Sequence, residues 1–199
     1  MSTTTTTPPA IVRDVDGRQV PAAGEWAVDK SHATVEFVAR HLMVSKVRGR
    51  FTDYDAKLVI AERPEDSSLE VELQAASLTT GEEARDGHLH NEDFLDVEQY
   101  PLVTFKSTSI EPVSDDTWKV TGDFTIRDTT RPLDLEVTFG GAATTPWNTQ
   151  AAFFSANAEF DREDWGLTWN QPLAGGGVLV GKKVQIEIDV ELNPVNPAS

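Results

Sequence analysis

Four histidines and the absence of cysteine limit the chemistry this chain could perform. Without cysteine there is no disulfide, thiol nucleophile or thiolate metal site. His32 and His41 fall at opposite parities of one extended stretch, so their side chains face opposite ways and cannot easily share an ion. His88-Leu89-His90 has i, i+2 spacing. In a helix its rings diverge, and in a strand they share a face. With Asp86 it forms a metal set on paper, but zinc needs three or four converging ligands. Local hydrogen bonding is the expected use, so no metal ligand and no catalytic residue is assigned. Arg85, Asp86 and His88 lie within one helical turn, where a structural pairing is expected. Ser31 and His32 are adjacent, which in a strand separates the side chains, and no Gly-x-Ser-x-Gly elbow occurs. Gly175-Gly176-Gly177 lacks the lysine of a phosphate-binding loop and reads as a flexible connector. No cofactor is implied.

The elements that would position these groups are mostly strands. Trp26 to Tyr54 organises the chain. Ala33, Val35, Phe37 and Ala39 alternate with Thr34, Glu36, Val38 and Arg40. After a basic turn, Tyr54, Ala56, Leu58 and Ile60 alternate with Asp53, Asp55, Lys57 and Val59. Period-two patterning predicts strands with one covered and one wet face. The pattern recurs at Leu69–Ala75, at Val103 and Phe105, at Trp118–Ile126, at Leu133–Phe139, at Phe154–Phe160 and at Val184–Leu192. Asp16-Gly17 predicts a tight hairpin between Ile11 and Pro21, attached to the main body rather than central to it. Thr80-Gly81-Glu82-Glu83 has capping-box spacing, with Thr80 as N-cap, and predicts a helical insert over about 81–95. Gly140 to Thr149 and Asp161 to Val180 read as loops. About eight antiparallel strands with one helix predict an all-β fold. A closed up-and-down barrel hides one face and removes free edges, and a sandwich is the alternative.

Composition excludes several partners. The 199 residues carry a formal charge of −16, which opposes nucleic-acid binding and broad adhesion to anionic lipid. Stable membrane insertion is not expected, because no apolar run approaches the ~18 residues of a spanning helix. Residues 1–23 are expected to be a disordered Thr/Pro-rich tail plus the short hairpin, residues 24–192 the barrel, and residues 193–199 a fraying tail. No basic region leads into an apolar stretch near Met1, so the expected compartment is the cytoplasm.

The residues Trp26-x-x-Asp29-x-x-His32-x-x-Val35-x-Phe37-x-x-Arg40-His41 and Val47-x-Gly49-x-Phe51 resemble the opening of the YceI-like family, also called the polyisoprenoid-binding or lipid-binding YceI-like domain. Arg85-Asp86-x-His88-Leu89, Asp93-Phe94-Leu95-Asp96 and Tyr100-Pro101-x-x-x-Phe105 follow in the family's order. So do Gly122-x-Phe124-Thr125-Ile126 with Thr130-Arg131-Pro132, and Arg162-x-Asp164-Trp165-Gly166-Leu167, where Trp165 stands in place of the usual Phe. The resemblance spans about Gly24 to Leu192. It implies an extended lipocalin-like antiparallel β-barrel of about eight strands with a short helical insert. It also implies a polyisoprenoid, isoprenoid quinone or related lipid held inside, homodimers as a common assembly, and a periplasmic location for many relatives.

The expectation is a non-enzymatic lipid carrier or sequestering protein. Its wall is expected to comprise Val35, Phe37, Phe51, Phe105, Phe124, Ile126, Phe139, Phe154 and Phe160. Trp165 is expected near an opening, and His41, at the parity of Phe37, beside a polar head group. Two alternatives remain: a metal-assisted enzyme acting on a lipid through His88, His90 and Asp86, and a ligand-free interaction module whose aromatics fill the barrel.

Overall fold

The computed structural model describes residues 11–42, 44–145 and 149–195. The strands, in chain order, begin with β1 (Val12–Val15), β2 (Arg18–Pro21), β3 (Gly24–His41), β4 (Ser45–Phe51), β5 (Tyr54–Ile60), β6 (Ser68–Gln74) and β7 (Leu78–Thr79). The helix α1 (Glu83–His90) follows, then β8 (Leu102–Pro112), β9 (Thr117–Ile126), β10 (Thr129–Thr144), β11 (Gln150–Asp161) and β12 (Val180–Pro194). The disorder expected for Met1 to Ala10 falls outside the described residues.

The alternating segments close into a barrel. The ring runs β3, β5, β6, β8, β9, β10, β11, β12 and back to β3, antiparallel throughout. Closure leaves little sheet edge around the ring, which is the physical reason for preferring it to a sandwich. The long strand β3 makes closure possible by serving two neighbours on one side. Its start pairs with β5 through Gly24–Trp26, and its end pairs with β4 through Glu36–His41. On the other side it pairs with β12 along most of its length. Between Ala27 and Val35 no ladder joins β3 to β5 among the described residues.

Glycines sit where rings need the space. A Cβ on Gly122 would stand 2.4 Å from Phe105 Cζ, so the Phe105 ring lies across that glycine from the adjoining strand. Gly49 makes the same room for Phe37. The expected loop from Gly140 is instead the end of β10. The register with β11 shifts between Phe139 and Ala142, and Gly141 has φ +98°, so the two glycines form a β-bulge and the strand continues beyond them.

The helix is present but capped differently from expectation. Glu82 is the N-cap, and its carboxylate accepts from the Ala84 and Arg85 amides. Thr80 instead donates its hydroxyl to Asp86, at 2.5 Å. The helix and the turn after it lie at one end of the barrel, where Leu89 and Leu95 pack on the main core. The β1–β2 hairpin lies at the other end. Ile11 and Val12 pack there on a second core of Trp26, Phe139, Ala152 and Leu192. The hairpin turn is the one the sequence implies, with Asp16 at φ +52° and Gly17 at φ +80°.

Candidate functional site: an apolar chamber through the barrel

Inward-facing side chains leave a cavity of about 320 Å³ that reaches from Val20 and Pro21 of the hairpin to Leu89, Phe94 and Leu95 at the helical end. Ligand pockets occupy roughly 300–1,000 Å³, whereas close-packed interiors hold few voids larger than a water. The lining is almost wholly apolar. Val35, Phe37, Phe51, Phe105, Phe124, Ile126, Phe139, Phe154 and Phe160 all lie on it. Aliphatic side chains from every barrel strand complete the wall, among them Leu58, Leu69, Leu133 and Ile188.

His41 and Trp165 are not among the lining residues. His41 ends β3, opposite Ser45 and Val180. Trp165 is buried, 4% exposed, and donates its indole N–H to the Phe124 carbonyl at 3.0 Å. Its ring meets Phe124 and Phe160 edge-on at 5.6 and 5.0 Å, so it packs directly on two wall aromatics.

Two polar groups on the lining have spare hydrogen-bonding capacity. Arg162 is 2% exposed. Its Nε donates to the Gly181 carbonyl at 3.0 Å and its Nη1 to the Leu167 carbonyl, while Nη2 has no partner. Burial pushes the guanidinium pKa down, and the nearby carboxylates of Glu163 and Asp161 oppose that. A buried donor without an acceptor is costly and rare, so this one calls for an explanation. The Tyr54 hydroxyl is also buried without a partner, and its pKa is raised by desolvation. The inward parity of Tyr54 was available in the sequence, since it precedes Ala56 and Leu58 by two and four positions, whereas Arg162 opens the 3-10 turn after β11, where strand parity no longer applies.

The other chemistry-bearing residues find separate partners. His88 Nε2 lies 3.0 Å from Asp93, with its ring packed edge-on against Phe94 and Trp169. His90 Nε2 meets the Leu78 carbonyl at 2.8 Å. Asp86 accepts from Thr79 and Thr80. These three side chains therefore do not converge as a ligand set. Ser31 and His32, by contrast, are closer than strand geometry suggested. Ser31 Oγ is 2.6 Å from Asp29 and 3.2 Å from His32 Nδ1, and that same nitrogen is 3.0 Å from Asp29. A nucleophile–base relay needs serine and aspartate on opposite ring nitrogens. Here both contact Nδ1, and the group is an exposed acid–imidazole pair. Its partners hold the Asp29 pKa down to about 2, the Ser31 hydroxyl first and His32 next, and raise that of His32. Glu191, from β12, brings a second carboxylate to 3.8 Å from His32, a neighbour that sequence spacing could not reveal.

A closed antiparallel barrel around a continuous apolar chamber places the protein among the lipocalin-like barrels. Residues 26–192 match the YceI-like domain, and the chain belongs to that family. A UPF0312 protein of Pseudomonas savastanoi is 37% identical over 148 residues, covering 73% of this chain and 77% of the relative. The crystal structure of Burkholderia cenocepacia BcnA superposes with a TM-score of 0.72 at 20% identity, over 82% of this chain and 98% of that one. A polyisoprenoid binding domain from Saccharophagus degradans superposes with a TM-score of 0.63 at 12% identity, over 85% of this chain and 98% of that one. Among the described residues no helix is long and apolar enough to cross a membrane.

Proposed function

We propose that the protein binds a long-chain amphiphile, a polyisoprenoid, isoprenoid quinone or related lipid, and carries or sequesters it without transforming it. The observation that carries this reading is the chamber itself: continuous between the two barrel ends and apolar nearly throughout. A core filled by its own aromatics would leave no such space. The fold shared with a polyisoprenoid binding domain supports the reading by analogy of architecture.

Affinity comes from burying the chain. At ~0.8 kcal/mol per methylene, one five-carbon unit contributes about 4 kcal/mol before ordering costs are subtracted. The head group belongs at the helical end, where Arg162 offers its spare Nη2. A carbonyl, hydroxyl or phosphate oxygen placed there would satisfy that donor and gain a charge-assisted hydrogen bond. Arg162 thus takes the head-group role that the sequence suggested for His41.

Native mass spectrometry of the freshly purified protein, followed by organic extraction, tests this directly. A stoichiometric long-chain isoprenoid or quinone is expected. An empty protein that also takes up no added polyprenyl compound would overturn the reading in favour of an unliganded barrel.

A further inference from the structure

We infer that the β1–β2 hairpin is the floor of the chamber and fixes the length of chain the protein accepts, with Val20 as the residue that meets the chain end. The inference rests on the chamber reading above and adds to it the element that selects among ligands.

The hairpin closes the rim opposite the helix. Val20 is 3% exposed and Pro21 is buried, and both line the cavity. Arginines tie the hairpin to two separate turns of that rim. Arg13 Nη1 and Nη2 donate to the Glu62 and Ala61 carbonyls, at 2.6 and 2.5 Å, in the turn between β5 and β6. Arg13 Nε holds the hairpin's own Pro21 carbonyl at 3.1 Å. Arg18 Nε reaches the Ser114 carbonyl, in the turn between β8 and β9, at 3.3 Å. The hairpin is therefore strung across the mouth. Its exit is fixed as well, because the Ala22 amide donates to the Ile11 carbonyl at 2.9 Å and Trp26 Nε1 to the Ala22 carbonyl at 3.0 Å.

Chain position sets the hairpin apart from the matched domain. The family match begins at Trp26, so the floor is built from residues that precede the shared barrel pattern. A closed floor at one end and a polar contact at Arg162 near the other make the chamber a ruler. A chain that is too short leaves apolar wall uncovered. One that is too long must withdraw its head from Arg162 or lift the hairpin.

The test uses the full chain and a ladder of straight-chain primary alcohols from C12 to C22, with affinity measured by titration calorimetry. For the wild type, affinity should rise roughly fourfold per added carbon up to an optimum and then fall. Val20→Ala, which deepens the floor, should move the optimum one or two carbons longer, and Val20→Trp should move it shorter. Arg13→Ala should soften the fall on the long side. An optimum that stays put in folded Val20→Ala and Val20→Trp overturns the floor while leaving the chamber intact, as does the lack of any optimum in the wild type. If the wild type binds no alcohol of any length, the chamber reading falls and takes the floor with it.

Discussion

Blocking the chamber from one wall position separates ligand binding from folding. Ala156 lies midway along β11, opposite Val137 on one side and Ile188 on the other, and its methyl lines the cavity. Ala156→Phe projects a benzyl-sized group into a space of about 320 Å³. In the empty protein, burial of the ring contributes ~1.5–3 kcal/mol, offset by ~1–3 kcal/mol if neighbours must shift, so stability should change little. The liganded state is affected differently. A ring that displaces one five-carbon unit removes about 4 kcal/mol of chain burial, or roughly a thousandfold in affinity. Binding of geranylgeraniol, followed by titration calorimetry beside a thermal melt, reads both quantities. Asn157→Phe, one position on and facing solvent, is the control and should bind as the wild type does. A folded Ala156→Phe variant within about threefold of wild-type affinity would refute the placement of the chain. So would equal loss in Asn157→Phe.

Two further outcomes follow from the wall and the outer surface. In Gly122→Ala the new Cβ would lie 2.4 Å from Phe105 Cζ and 2.6 Å from the Lys106 carbonyl oxygen. Backbone cannot yield as a side chain does, so a loss of ~1–3 kcal/mol is expected, seen in a melt as about 2–4 °C for each kcal/mol. On the outer surface, Asp29 titrates near 2 when folded, below its ordinary 3.8, so the stability it contributes is present above about pH 4 and is lost as pH falls towards 2. His32 is raised above 6.5, so its contribution is present below that pH and is lost as pH climbs through its folded value. NMR titration should show His32 above its ordinary midpoint and returned towards it in Asp29→Asn; an unmoved midpoint would contradict the pairing.

Alternation carried most of the wall, because in a strand parity alone decides which side chains face inward. Val35, Phe37, Phe124 and Phe160 could be placed on the lining from spacing alone. Features that depend on a partner distant in sequence were not legible. Arg162 reads as a surface charge until its acceptors, the Gly181 and Leu167 carbonyls, are brought beside it. Glu82 caps the helix in place of Thr80, whose hydroxyl and amide both donate to Asp86 six residues on, a local competition that capping-box spacing does not show. The Gly140-Gly141 pair looks like a break, yet β11 continues the ladder past it. The Asp16-Gly17 turn identified the hairpin, but nothing local says that its far strand would close a chamber.

The barrel wall is not equally strong around its circumference. Along most of the ring, separating two strands breaks a row of backbone hydrogen bonds. Among the described residues there is no such row between Ala27–Val35 of β3 and the facing part of β5. A polar link across that seam is Lys30, whose ammonium lies 3.2 Å from Asp55, 3.9 Å from Asp53 and 5.5 Å from the centre of the Tyr54 ring. Exposed ion pairs of this kind contribute about 0–1 kcal/mol and weaken as salt screens them. Where ladders join the strands the shell must unzip to yield, but along this seam it has only to part, so its compliance there varies with ionic strength.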